Sequence, residues 1–198
     1  MRSLLQSLCR SNQGLLAQKL GLMDAVVAKH GQTKAEDMYH QVCPIVQATV
    51  GQHIRHSVDH IERAILAAQD PEIRKIRYDV RERGGEDEHN LDAARARVEH
   101  VRDILDRMAN SNAHLPVMSH NIEACFMLSG TSPIEFALPS TAARELGFAA
   151  HHGIHHMAMV KIIALQTLGL DSNDLPADFG KAPSTSNFDR QQQRAQSS

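Results

Sequence analysis

The sequence predicts an all-α protein: a four-helix bundle with a short irregular or β-hairpin insert before its last helix. Three observations predict it. Apolar residues recur at helical spacing over four long stretches, each roughly 20–30 residues. Pro44, Asp70-Pro71 and Gly169 punctuate these stretches. Pro116, Gly130, Pro133 and Pro139 gather in one segment, between the third and fourth helices, where they exclude a long helix.

The elements follow in order. Residues 1–12 read as a flexible N-terminus or a transit segment: Arg2, Arg10 and Lys19 precede the first acid, Asp24, a composition compatible with organelle targeting. From about Gln13 to His40, Leu15, Leu16, Leu20, Leu22, Val26 and Val27 are spaced for one helix, which Gly21 and Gly31 weaken. Pro44 lacks an N–H and marks the next break. The second helix is expected from about Val46 to Gln69 and the third from about Leu91 to Ala109. The charged stretch 71–90 between them, with Gly84-Gly85, reads as a connection that can hold a helical turn.

In the third helix, Leu91, Val98, Val101, Leu105 and Met108 form the apolar stripe, and its charges read as a solvated face. Val117–His120 and Cys125–Leu128 are candidate short strands with a turn near Ser129-Gly130. Ser140 or Thr141 caps the last helix, which runs to Gly169. The domain is expected over 13–188, with 189–198 a disordered tail.

Composition excludes several classes. A chain of 198 residues accommodates one domain. With 21 basic and 23 acidic residues, net −2, it lacks the footprint of a nucleic-acid binder. Aromatics are 4 % and tryptophan is absent, so a base-stacking surface is not expected. Cys9, Cys43 and Cys125 are odd in number and form no CxxC pair, which points to a reducing compartment. No apolar run is long enough to span a bilayer. The expectation is a cytoplasmic protein, or an organellar one if the N-terminus is a transit peptide.

Chemistry concentrates in histidine. HHGIHH at 151–156 places four imidazoles in six residues of an otherwise apolar helix, and His53, His56 and His60 lie upstream. Those three fall within a sector of about 60° on the second helix. His151/His155 and His152/His156 are two i,i+4 pairs, each able to chelate one ion from a single face. A third imidazole from another helix makes a three-ligand centre with an open position, the catalytic arrangement. Glu145 lies on the stripe of His152 and His156, where a carboxylate can hold a ring N–H; this favours that pair. Scattered His30, His40, His89, His100, His114 and His120 read as ordinary hydrogen-bonded rings.

Three segments, GQHIRHSVDHIE (51–62), STAARELGFAAHHGIHHMAMVKII (140–163) and DFGKAPST (178–185), resemble the DinB/YfiT-like superfamily. With the helix order, the resemblance covers about residues 13–188. It implies a four-helix bundle with an unusual connection order. It also implies a metal site made from one histidine of the second helix and an i,i+4 pair of the last: His56, His152 and His156. The extra rings leave His53, His60, His151 and His155 as alternates. Members include transferases and isomerases that use low-molecular-weight thiols.

The expectation is therefore a metal-dependent enzyme, a transferase or hydrolase acting on a small molecule such as a thiol. Zinc is the first choice of divalent metal, with nickel or iron as alternatives. Asp59, His60 and Glu145 are the candidate acid/base or orienting groups; Asp59 and Glu145 could equally be ion-paired to Arg63 and Arg144. Phe179 could act as a lid and Ser184 and Thr185 as donors, although Gly180 and Pro183 suit a plain C-terminal turn packed on the bundle equally well, and that turn is the favoured reading. The competing expectations are a non-catalytic metal-binding or stress-response scaffold, with a homodimer through a helix face, and a plain bundle whose histidines only bond one another.

Overall fold

The computed structural model describes residues 3–80, 84–111 and 119–196. Helix α1 spans Leu4–His30 and starts in a capping box: the Ser3 hydroxyl accepts from the Gln6 N–H, and the Gln6 side chain reaches back to Ser3. The segment expected to be flexible is therefore helical from Leu4, and Cys9 and Asn12 are fully buried. The expected single helix from 13 to 40 is broken at Gly31, whose φ of 80° lies in the left-handed region. Helix α2, Gln32–Tyr39, resumes beyond it.

Helix α3, Val50–Gln69, opens on a second capping box, Thr49 with Gln52. Its buried face carries Val50, Ile54, Val58, Ile61 and Ile65. The connection that follows holds strand β1, Lys75–Arg77, and the one-turn helix α4, Glu86–His89. Helix α5, Leu91–Asn110, begins where the Asn90 side chain accepts from the Ala93 N–H, and it buries the predicted stripe.

Strands β2, Asn121–Met127, and β3, Glu135–Thr141, form an antiparallel hairpin with Asn121 opposite Thr141. In β2, buried Ile122 and Ala124 alternate with exposed Asn121 and Glu123. Strand β1 adds to β2 in parallel, giving the order β1-β2-β3. The candidate strand at Val117–His120 is not one at Ser119 and His120; Val117 and Met118 lie outside the described residues.

Helix α6, Ala142–Gln166, is capped by Thr141, whose hydroxyl accepts from the Arg144 N–H. After a 3-10 turn at Ser172–Asp174, helix α7 spans Pro183–Gln196. The tail from Asp189, expected to be disordered, continues this helix, and Lys181 pairs with Asp189 at its start.

The protein is thus mostly helical with a small three-stranded sheet, rather than all-α. Helix α3 packs on α6, α6 on α1, α1 on α5 and α5 on α3, which closes the four long helices into a ring around the main core. A second, smaller core of Ala67, Ile76, Tyr78, Ile122 and Ala124 joins the sheet to the bundle. Phe126 and Phe148 pack against it. No helix among the described residues is long and apolar enough to cross a membrane.

Candidate metal centre

The α3–α6 seam brings both histidine clusters together. His152 and His156 sit one turn apart on α6, and His56 faces them from α3. The Nε2 atoms of His56 and His152 are 3.1 Å apart, and those of His152 and His156 are 3.0 Å apart. One ligand atom from each of the three residues falls within 4.8 Å of the other two. A tetrahedral ion with nitrogen ligands at 2.0–2.1 Å sets those nitrogens roughly 3.3 Å apart. The three rings are therefore spaced to hold one metal ion, and three neutral imidazoles suit a divalent metal without fixing which one.

Electrostatics agree with the geometry. Burial pushes the His156 pKa far down, and His152, His56, His53 and His155 push it further. The ring is thus held neutral, as a ligand must be. Packing fixes the orientation of His152. The His60 ring stacks on it at 4.0 Å between centroids, and Phe148 lies stacked at 5.6 Å. His60 in turn stacks on Tyr78 at 4.4 Å. Within HHGIHH, Gly153 faces α1, and a Cβ there would come within 2.8 Å of Leu15. The glycine lets α1 and α6 approach where the histidines require α3 and α6 to approach as well.

The remaining candidates are placed as follows. His53 does not join the triad; its Nδ1 lies 2.8 Å from Nδ1 of His156. His151 and His155 are exposed on the outer side of α6. Glu145 is fully buried. Its carboxylate accepts from the Tyr78 hydroxyl at 2.7 Å, from Arg144 at 2.7 Å and from the Ser140 hydroxyl. Arg144 is the ion-pair partner the sequence offered for Glu145; Ser140, in β3, and Tyr78, just after β1, could not be placed from helical periodicity. Tyr78 is the intermediary: Glu145 fixes its hydroxyl, and its ring supports His60.

Asp59 is ion-paired, with Arg55 at 2.8 Å and Arg97 at 2.7 Å rather than with Arg63. Arg97 also binds Glu62 and Asp87. Burial alone would lower the Arg97 pKa, but these carboxylates outweigh it and raise it. Phe179 is fully buried in the main core and cannot act as a lid. Its neighbour Gly180, at φ 69°, sits where a Cβ would come within 2.8 Å of the Met157 carbonyl, and its N–H donates to Gln18. Ser184 and Thr185 are exposed on α7.

A cavity of about 260 Å³ reaches the centre; His53, His56 and His156 line it together with Gln52, Arg55 and Glu88. A larger one, about 900 Å³, shares Arg55 and is lined by Asp59, Glu62, Asp87 and Arg97. Arg55 and Glu88 are the polar pair beside the centre that sequence reasoning missed. Both are buried, and Arg55 Nε lies 3.1 Å from the Glu88 carboxylate. Glu88 belongs to the charged stretch that reads as a connection. It is drawn in by Gly51, where a Cβ would stand 2.2 Å from the Glu88 carbonyl oxygen. Lys19 was also missed. It is fully buried with its amine 3.3 Å from the Met157 sulfur, and burial lowers its pKa to about 7.

Comparisons with known proteins give no family. No family model and no solved structure matches the chain. Over 111 residues it is 31 % identical to FK506-binding protein 5 of Rhizopus delemar. That stretch is 56 % of this chain, and it spans about a quarter of the relative's length (26 %). A likeness over so small a part of that protein does not carry its activity to this one.

Proposed function

We propose that the protein is a DinB/YfiT-like metal-dependent enzyme, a transferase or hydrolase acting on a small molecule, with a low-molecular-weight thiol as the favoured substrate class. The observation that carries this reading is the convergence of His56, His152 and His156 beside a cavity that two of them line. A zinc ion held there would supply Lewis acidity toward a coordinated water or thiol near neutral pH.

The chain's own groups have distinct parts. Low-dielectric surroundings keep His156 neutral, and the stack of Tyr78, His60 and His152 holds one ligand ring in place. Arg55 and Glu88 present both signs of charge to the cavity, which suits a small polar substrate better than an apolar one. The scaffold reading needs a further protein ligand that closes the centre. His60, the residue expected in that role, lays its ring against the face of His152 instead.

The test is metal analysis of protein purified without an affinity tag, followed by an activity screen. Near-stoichiometric metal, lost in His156→Ala, is the expected result. Trace metal unchanged by that substitution would overturn the metal reading. Thiol-transfer and hydrolysis substrates are then compared on wild type and His56→Ala; equal turnover by both would remove the proposed centre from catalysis.

A further inference from the structure

We infer that His53 is a positioning residue for the centre: its Nδ1 accepts the proton of His156 Nδ1 and so fixes the tautomer and angle of that ligand. The inference rests on the metal reading above. A neutral imidazole carries one proton, on one nitrogen. If His156 gives the lone pair of Nε2 to the centre, its proton must sit on Nδ1. The atom facing that proton is His53 Nδ1, at 2.8 Å. His53 must then present a lone pair there and carry its own proton on Nε2.

Two further observations agree. His53 Nε2 is buried and has no hydrogen-bond partner. Rotating the ring to satisfy that nitrogen would break the contact with His156, and the ring stays where it serves His156. The two rings also pack against each other, with their centroids 5.0 Å apart. A ligand histidine usually gives its second N–H to a carboxylate, a carbonyl or water. Here a second imidazole, three positions before His56 on the same helix face, takes that place. It explains why α3 carries more rings than a three-histidine centre needs.

The test measures zinc affinity by competition with a chelator in wild type, His53→Asn, His53→Leu and His156→Ala, with circular dichroism of the metal-free proteins as the folding control. The Asn side-chain oxygen can stand where Nδ1 of the ring stands. His53→Asn should therefore bind zinc nearly as wild type does, while His53→Leu binds about 10–100-fold more weakly. In the zinc-loaded wild type, nitrogen-15 spectra should show a protonated, hydrogen-bonded Nδ1 on His156, and that signal should move in His53→Leu. Wild-type affinity in a folded His53→Leu, with binding lost in His156→Ala, would overturn the positioning role and leave the centre standing. Equal weakening in folded His53→Asn and His53→Leu would show that the acceptor is not what matters, and would overturn it too. No zinc binding by wild type would instead overturn the reading on which it rests.

Discussion

Helix α5 buries Leu91, Ala94, Val98, Val101, Leu105 and Met108, whereas α6 buries Glu145 and His156 among its apolar residues. The two helices contact the same neighbours, α1 and α3, in different ways. Toward α5, among the described residues, α1 offers polar contacts at its rim, such as Asp24 with Arg95 and Gln13 with Asp106. Toward α6 it offers buried Asn12, which donates to the Leu146 carbonyl, and buried Lys19. From α3, His53 and His56 also meet α6. Burying polar groups costs free energy unless they are well paired, and a natural chain departs from apolar packing mainly where the groups act. Apart from Arg97, which pairs with Asp59 and Glu62 of α3, helix α5 is therefore the bundle's stabilising wall and α6 its chemical one.

Substitutions that separate stability from metal content put this division at risk. The largest expected effect is on the α5 side. Leu105→Ala removes a fully buried side chain and should cost about 2–5 kcal/mol in denaturant unfolding. Metal bound per folded molecule should not change; a parallel loss of metal would mean that the two helices are not separable in this way.

On the α6 side, Lys19→Met should stabilise the protein, because it deletes a buried amine at similar volume. The pH dependence has a definite sign. Burial lowers the Lys19 pKa to about 7 in the folded protein, from the ordinary lysine value of 10.5 that it has when unfolded. Below pH 7 both states are protonated and the burial cost is fully present. Between 7 and 10.5 the unfolded chain binds the extra proton, so wild-type stability rises with pH. The gain from Lys19→Met should be greatest below pH 7 and shrink by up to about 1.4 kcal/mol per pH unit above it. A gain independent of pH in thermal unfolding would show that the amine is not the cause. The smallest effect is expected outside the seam. His151→Ala with His155→Ala should change stability by no more than about 0.5 kcal/mol and leave metal content intact; lost metal would assign these exposed rings a part in the centre.

The same contrast decides what the sequence could reveal. Helix α5 was legible almost to the residue, because Leu91, Val98, Val101, Leu105 and Met108 repeat at helical spacing over a charged face. Helix α6 was legible as a helix, but its periodicity hardly separated the two histidine stripes. The stripe of His152 and His156 was favoured because Glu145 lies on it, yet Glu145 binds Tyr78, Ser140 and Arg144. That stripe meets His56 because it is the one that faces α3. Strand β1 was invisible because Lys75-Ile76-Arg77, though alternating, is too short a run to read as a strand, and its partner lies far along the chain. The burial of Lys19, and the seating of Glu88 against Gly51, are likewise tertiary facts with no local signature.

The sequence distance across the centre bears on how the chain assembles. His56 and His152 are 96 positions apart, and His53 and His156 are 103 apart. Bringing the ends of such a loop together costs about 4 kcal/mol of chain entropy from the logarithmic length dependence alone. The i,i+4 pair can form as soon as α6 coils, but the third imidazole arrives only when that loop closes. Filling the centre would therefore report that α3 and α6 have found each other across half the polypeptide.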